Sequence, residues 1–355
     1  MLELFGSNQS KEAIGLDIGP SSIKVVQIKR ENDRLVLVTY GEVATGPYAG
    51  LLVGQATKLG DEKLVEAIKD LFREAKVTST NATLSIDSSS AYVSMITVPR
   101  VEDKELRTMM PLEARKYIPI PATELQIDWW HLPNFIYDSS KDPRNMNVVL
   151  AAVKNETVTQ YDRLIKQIGL TNADFEIEGF SLARSVLRGI TGLTLCLDVG
   201  SEYSTINLIH SGVVIDMNVI GHGSQESTIQ LSKALALPID TAEETKRNFG
   251  YYGDEANPYV KEVMTLSSYP LFGEVARLSL MYEKKYNQNI EGMIICGGGA
   301  RIPGIVDAYR QISHVDARIA TPFDQIAIPP FLQEMIQRIG PTYSIAVGLA
   351  LKKLF

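Results

Sequence analysis

The sequence predicts an α/β protein whose two related halves, each a β-sheet with helices, face each other across a cleft. The first observation is a repeated turn, since residues 15–26 read GLDIGPSSIKVV and residues 195–206 read LCLDVGSEYSTI. Each turn is followed by further strand-like runs and then a helix, which indicates an internal duplication. The second observation is length, because 355 residues suffice for about two to four domains or subdomains.

The elements of the first half follow its turn directly. The runs SIKVVQIKR and RLVLVTYGEV read as strands, and residues 61–76 form a helix with one apolar face and Asp61 as its expected cap. Residues 82–171 interrupt the repeat with strand-like runs such as LQIDWWHL and MNVVLAAVK and two helices. We interpret them as a self-contained α+β insert, in which Pro111 either kinks the first helix or marks its true start.

The second half repeats the order of the first. TLCLDV, YSTINLIH and VVIDMNVI are predicted strands, and the chain is mostly helical from there to about residue 290. The run EGMIICGGGARIPG reads as a strand, a glycine-rich turn and the start of a helix. The last helix carries Ala346, Gly348 and Ala350, which are small enough for close packing.

Composition narrows the class of protein. The chain is 45% hydrophobic and 22% charged, as in ordinary soluble domains, and its net charge of −7 without a basic block argues against a nucleic-acid surface. The two cysteines, Cys196 and Cys296, end apolar runs and are expected to be buried free thiols. The four histidines lack metal-ligand spacing, and neither a membrane-spanning run nor a signal peptide is present. These features indicate a cytoplasmic protein.

The two Asp–Gly turns carry the groups that bind a phosphate chain with Mg²⁺. Such a ligand needs backbone N–H donors from tight turns and carboxylates for the hydrated metal. The candidates are the metal-side carboxylates Asp17 and Asp198, the turn glycines Gly19 and Gly200, the hydroxyls of Ser21, Ser22, Ser204 and Thr205, and Lys24. The alternative is two ordinary hairpins whose Asp and Gly only form turns.

Two further segments fit a nucleoside. Gly297, Gly298 and Gly299 expose bare backbone against which a flat adenine or ribose can lie, or else form a flexible connection. Glu243 and Lys246 share a helical face, where Lys246 is a base or ribose contact or an exposed lysine. Glu243 also has capping-box spacing from Asp240, so a role in starting the helix is the alternative.

The order of LDIGPSSIK, LDVGSEYST and CGGGARIPG resembles the phosphate-1, phosphate-2 and adenosine motifs of the actin-like ATPases. The insert, with EARKYIPIP and LQID, and the segment AEETKRNFG are similar to the PilM family, in the FtsA-like branch of that superfamily. The resemblance implies an actin-like ATPase fold with ATP and Mg²⁺ between the halves. It places Asp17 and Asp198 near the metal, the three glycines under the adenosine, and Glu243 and Lys246 at the nucleoside.

The resemblance also implies a division into subdomains. The expected ranges are 1–81, 172–191 and 341–355 for subdomain 1A, 82–171 for the inserted subdomain 1C, 192–223 and 290–340 for 2A, and 224–289 for 2B. Glu178 lies where the chaperone branch has a Glu that positions the attacking water, but Gly179 replaces the Pro expected after it. We therefore interpret the site as nucleotide-binding first, with slow or no turnover.

As a function, the resemblance implies a cytoplasmic adaptor of the type IV pilus assembly machine, peripheral at the inner membrane through its partners. The expected partner is the N-terminal cytoplasmic tail of PilN, docked in a groove between 1A and 1C beside VSMITVP, Trp129, Trp130 and residues 115–121. Other inner-membrane pilus proteins, the assembly ATPases and a homo-oligomer or ring are further expected partners. Neither nucleic acid nor direct membrane insertion is expected.

Two alternatives remain from sequence. An FtsA-like division filament would need a linker and a basic amphipathic membrane helix, and the sequence stops at ALKKLF, directly after its last predicted helix. A small-metabolite kinase of the same superfamily would need a catalytic Asp over the acceptor hydroxyl, and Asp87 or Asp128 would have to serve.

Overall fold

The computed structural model describes residues 11–132, 144–187 and 189–355. The strands are β1 Glu12–Ile18, β2 Ser22–Glu31, β3 Arg34–Ala44, β4 Asn81–Ile86, β5 Ala91–Pro99, β6 Leu125–His131, β7 Asn145–Lys154, β8 Asn172–Ile177, β9 Leu193–Val199, β10 Ser204–His210, β11 Val213–Ile220, β12 Gly292–Cys296, β13 Ala317–Ile319 and β14 Ile326–Ala327. The α-helices are α1 Asp61–Glu74, α2 Asp103–Ala114, α3 Asn155–Ile168, α4 Glu178–Val186, α5 Ser224–Leu235, α6 Ile239–Phe249, α7 Tyr259–Tyr286, α8 Ile305–Arg310, α9 Gln333–Ile339 and α10 Ser344–Lys352.

These strands form two sheets that share one local pattern. The six-stranded sheet has the order β14-β3-β2-β1-β4-β8, and the eight-stranded sheet has the order β13-β12-β9-β10-β11-β5-β7-β6. In both sheets the strand that carries the turn aspartate, β1 or β9, pairs antiparallel with its hairpin partner and parallel with a later strand, β4 or β12. The structure therefore contains the duplication that the repeated turn predicts.

The insert is divided between the two sheets. β4 pairs with β1 and β8 in the first sheet, where all six of its residues are buried, and α3 contributes Leu164 and Ile168 to the same core. β5, β7 and β6 instead extend the second sheet, joined to β11 through the single pair Asp216–Ser94. The strand pairing therefore does not show a self-contained unit that begins at residue 82. The subdomain division remains a prediction, and its residues 1–10, 133–143 and 188 lie outside the described residues.

Helix α10 packs closely on both β1 and α4. A Cβ atom added at Gly15 would lie 1.9 Å from the Ala346 carbonyl oxygen, and one at Gly348 would lie 1.8 Å from the Ser181 carbonyl oxygen. The small residues expected in this last helix are therefore what allows it to lie buried between these elements.

Three local predictions have clear outcomes. α1 begins at Asp61 with Gly60 as its N-cap and no side-chain cap bond, so Asp61 is not the cap, although its charge still suits a helix N-terminus. Pro111 lies inside α2 rather than at its start. Cys196 and Cys296 are buried free thiols, with their sulfur atoms 4.0 Å apart.

No described helix is long and apolar enough to cross a membrane.

Candidate functional site

A cavity of about 220 Å³ lies between the two halves, and the repeated turns form its walls. Thirteen of the site residues predicted from sequence line it: Asp17, Gly19, Ser21, Ser22, Lys24, Glu178, Asp198, Gly200, Glu243, Lys246, Gly297, Gly298 and Gly299. Ser204 and Thr205 do not line it. Both are buried at the start of β10, where the Ser204 hydroxyl donates to the His222 carbonyl, so the prediction that these two hydroxyls face a ligand is wrong.

The first turn is the hairpin between β1 and β2. The Gly19 N–H donates to the Ser22 carbonyl over 3.1 Å, which leaves the Asp17 carboxylate buried at the end of β1. Burial raises the pKa of Asp17 above its ordinary value, while the Lys24 ammonium acts to lower it. The Lys24 ammonium lies 2.7 Å from the Ser22 hydroxyl and 3.6 Å from Glu42. The positive charge of this side chain is therefore held beside the turn.

The second turn places Asp198 in the matching position of the other sheet. Its side chain keeps some exposure toward the cavity, yet desolvation by the surrounding protein, followed by repulsion from Asp17, raises its pKa to about 7. The neighbouring residue Ser201 lines the cavity, and its buried hydroxyl has no hydrogen-bond partner within the described protein. A buried donor without a partner is costly, so the turn is ready to accept an anionic ligand.

The glycine-rich turn after β12 lies directly against Asp198. Gly297 has a φ of +82°, and a Cβ atom there would lie 2.0 Å from the Asp198 carboxylate, so only glycine fits. A Cβ atom at Gly298 would meet nothing within 4 Å, so its backbone borders open cavity. This combination provides a bare backbone surface on which a flat ring can lie.

Glu243 and Lys246 form an ion pair at the end of the cavity bounded by α5 and α6, where Lys246 is buried and Glu243 is half-buried. Lys246 Nζ lies 2.7 Å from Glu243 Oε2 and also donates to Thr228, while Arg247 donates to the other Glu243 oxygen over 2.7 Å. Burial lowers the pKa of Lys246, and for Glu243 these partners outweigh burial and lower the carboxyl pKa. α6 begins after Pro238, so Glu243 is not part of a capping box on Asp240, and Lys246 is not an exposed lysine.

Glu178 lies at the first position of α4, facing the cavity. Its carboxylate accepts a hydrogen bond of 3.0 Å from the Ser88 N–H. Burial, followed by repulsion from Asp87, Asp17 and Asp198, raises the pKa of Glu178 well above its ordinary value. A Cβ atom at the next residue, Gly179, would lie 2.5 Å from the Asn207 side-chain oxygen, which explains why a larger residue is absent there.

Several residues that line the cavity were not among the site residues predicted from the sequence. Tyr203 and Arg301 lie within the quoted motifs, so the motifs themselves were the signal for them. Gln225 and Gly54 line the cavity from a helix start and a loop, and residues 341–345 approach it from the C-terminal segment. Nothing local in the sequence marks these last segments, because only the tertiary fold brings them to the cleft.

The carboxylates suit a hydrated cation better than a closed metal cage. Within residues 11–132, 144–187 and 189–355, no three His, Cys, Asp or Glu side chains converge as direct metal ligands. Mg²⁺ commonly keeps several waters and uses only one or two protein carboxylates together with substrate phosphates. Asp17 and Asp198, whose charged forms are both disfavoured by burial, therefore fit this kind of cation.

The residues expected to form the partner groove are more buried than the sequence indicated. Met95 is 8% exposed and belongs to the large core cluster, so it is not a groove residue. Trp130 packs edge-on against Phe180 of α4 at 5.0 Å, and Trp129 is partly buried against the core cluster that contains Leu106 and Met110 of α2. Tyr117, which follows α2, is 42% exposed and offers accessible surface in this region.

Solved structures share this architecture along nearly the whole chain. The PilM–PilN type IV pilus biogenesis complex matches with a TM-score of 0.78 at 22% identity, covering 98% of this chain and 99% of that one. MreB 5 of Spiroplasma citri bound to AMPPNP matches with a TM-score of 0.55 at 13% identity, covering 96% and 95%. The fold is therefore that of the actin-like ATPases, as the three motifs predict.

Sequence relatives and a family match give the finer placement. FtsA of Bacillus subtilis is 22% identical over 368 residues, covering 89% of this chain and 80% of that protein. FtsA of Neisseria meningitidis is 21% identical, covering 94% and 88%. These relatives agree with the FtsA-like branch. Residues 15–354 match the family described as type IV pilus assembly protein PilM, and the chain belongs to that family.

Proposed function

We propose that this protein is an ATP-binding adaptor of type IV pilus assembly that docks the cytoplasmic tail of a PilN protein. The proposal of nucleotide binding rests on the way that separate segments of the chain meet at one cavity. Two Asp–Gly turns, the glycine-rich turn and the Glu243–Lys246 pair come from separate parts of the chain and line one cavity between the halves. The solved MreB 5, which shares the fold, is bound to a nucleotide analogue.

Each wall of the cavity has one task in this proposal. The turn amides near Gly19 and Gly200, together with Lys24 and the Ser201 hydroxyl, bind the phosphates of ATP. Asp17 and Asp198 hold hydrated Mg²⁺, which supplies charge neutralisation to the phosphates when bound. The glycine-rich turn supports the adenosine, and Glu243 with Lys246 binds its ribose or base.

Turnover is slow or absent in this proposal. A carboxylate that takes the proton of the attacking water has to be charged and aimed at that water. Glu178 is buried among three acidic neighbours, its pKa is raised well above the ordinary value, and one of its oxygens accepts from the Ser88 N–H. Its raised pKa favours the protonated form, which cannot take a proton from water.

The partner and location rest on the family and on the solved relative. That relative is a PilM–PilN complex over almost the same length of chain. We place the tail on the α2 side of β5, β6 and β7, beside residues 115–121, and the protein in the cytoplasm, at the inner membrane through this contact. Other inner-membrane pilus proteins, the assembly ATPases, and a homo-oligomer or ring remain proposed further partners.

Calorimetry tests the nucleotide part. Wild-type protein should bind ATP with Mg²⁺, and Asp17→Asn should bind it more weakly because one of the two metal-side carboxylates is lost. Asp33→Asn is the matched control, since the Asp33 side chain is 94% exposed in the β2–β3 turn. Equal affinity in wild type and folded Asp17→Asn would refute the metal assignment.

A titration with a fluorescent PilN tail peptide tests the adaptor part. Deleting residues 82–171 would remove β4 from the first sheet, and Met95→Glu would charge the core, so neither variant reports on docking. Tyr117→Glu instead changes an accessible residue within residues 115–121 and should weaken the peptide, whereas Tyr259→Glu, 63% exposed on α7, should not. If the wild type fails to bind the peptide, the docking proposal is wrong.

A further inference from the structure

Residues 45–57, which we call the strap, run from the end of β3 to the segment before α1 and reach across the mouth of the cleft. On one side the strap is tied to the first turn. The Thr45 hydroxyl and the Thr57 N–H both donate to the Pro20 carbonyl, over 2.6 Å and 2.9 Å, and the Thr45 N–H donates to the Ser21 carbonyl. The strap therefore moves with the phosphate-facing backbone of the first half.

On the other side the strap contacts the second half. The Ala56 N–H donates to Gln225 Oε1 over 3.0 Å, and the Gln225 N–H itself donates to the Ser201 carbonyl of the second turn over 2.9 Å. Gly54, with a φ of +91°, lies so close to α6 that a Cβ atom there would be 3.3 Å from Arg247 Nη2. A continuous chain of bonds thus joins the two turns around the outside of the cavity.

The cavity behind the strap is small. Its volume is about 220 Å³ and Gly54 of the strap lines it, so a nucleotide that enters past the strap needs the two halves to separate there. Separation on this side requires the Ala56–Gln225 bond to break. The strap is suited to opening, because Leu51, Leu52 and Val53 at its tip are 42%, 49% and 64% exposed and so contribute little buried area.

We propose that the strap is a gate on the nucleotide site, with Gln225 as the positioning residue that holds it closed. This inference rests on the proposed nucleotide binding, and it adds a structural element that sets the rates of nucleotide uptake and release. In this proposal the Ala56–Gln225 bond closes the strap over both the empty and the occupied cavity, so it slows uptake as well as release. Its loss should therefore raise both rates and leave the dissociation constant nearly unchanged, whereas loss of a nucleotide contact would raise the release rate alone.

Stopped-flow fluorescence with mant-ATP and Mg²⁺ measures both rates. Gln225→Leu removes the acceptor and should speed uptake and release by about 2- to 10-fold each, the range expected for one net hydrogen bond. Gln225→Glu keeps an acceptor for the Ala56 N–H and should return both rates toward wild type. Gly54→Ala loosens the gate from the opposite side, because alanine is strained at that φ and crowds Arg247, and it should act in the same direction.

Gln230→Leu is the control variant. Gln230 lies on the same helix and its amide donates to Glu226, so both rates should stay at the wild-type values. A faster release with unchanged uptake in Gln225→Leu would show that Gln225 is a nucleotide contact and overturn the gate. Unchanged rates in both Gln225→Leu and Gly54→Ala would also overturn it. A wild type that takes up no mant-ATP overturns the proposed function itself.

Discussion

At the scale of single residues, the buried carboxylates explain most of the cleft's chemistry. Asp17, Asp198 and Glu178 face one space, and burial and mutual repulsion disfavour their charged forms. The sequence predicts this pair of aspartates because both follow an apolar strand and precede a glycine. It could not predict which hydroxyls face the ligand. Ser204 and Thr205 follow the turn but begin β10, where they are buried and do not line the cavity. Ser201, inside the turn, does line it.

A pH series on Asp198→Asn tests the raised pKa. The folded protein holds the Asp198 proton up to pH of about 7, whereas the unfolded chain loses it near 3.8. The folded state therefore binds more protons in this window, and this contribution to the free energy of unfolding falls as pH rises through it. Without Mg²⁺, Asp198→Asn should melt above wild type at pH 8, by about 1–2 °C per kcal/mol relieved, with a smaller difference at pH 5.

The comparison at the two pH values separates charge from packing. A simple packing improvement in Asp198→Asn would raise the melting temperature equally at pH 5 and pH 8. If the variant melts at or below the wild type at pH 8, burial does not disfavour the Asp198 charge and the raised pKa is wrong.

At the scale of elements, local patterns predicted the strands and helices well, but not every partner. The alternation in residues 82–86 marks a strand, yet nothing in those residues tells whether it joins the insert or the first sheet. β4 joins the first sheet because it pairs with β1 and β8, which lie far from it in sequence. The helix α10 is the opposite case, since its small residues alone indicate close packing.

A pair of glycine substitutions tests the packing of α10. Gly348→Ala places a Cβ atom 1.8 Å from the Ser181 carbonyl oxygen and should lower the free energy of unfolding by about 1–3 kcal/mol or more, as overpacking does. Gly273→Ala is the matched control, because Gly273 is also helical but a Cβ atom there meets nothing within 4 Å. It should raise stability by about 0.5–1 kcal/mol through helix propensity. Urea denaturation measures both, and equal effects would refute the packing argument.

At the scale of the whole molecule, the two halves meet around the cleft, and the ligand site belongs to both. The first turn and the strap come from one sheet, and the second turn, the glycine-rich turn and α5 come from the other. The sequence predicts this arrangement, because two copies of the same Asp–Gly turn are expected to face one shared ligand. The strap lacks such a signal, since its contact with Gln225 depends on how the halves lie together.

A ligand that contacts both halves binds the folded protein and not the unfolded chain, so it should stabilise the whole molecule by mass action. At a hundredfold excess of ATP with Mg²⁺ over the dissociation constant, the gain is about 2.7 kcal/mol. Scanning calorimetry should show a higher melting temperature with ATP and Mg²⁺ than with ATP and EDTA. Lys24→Met, on the cavity side of β2, should reduce this shift, whereas Lys29→Met, on the same strand with a 42% exposed side chain, should keep it. Identical shifts in the two variants would mean that the ligand binds away from the cleft.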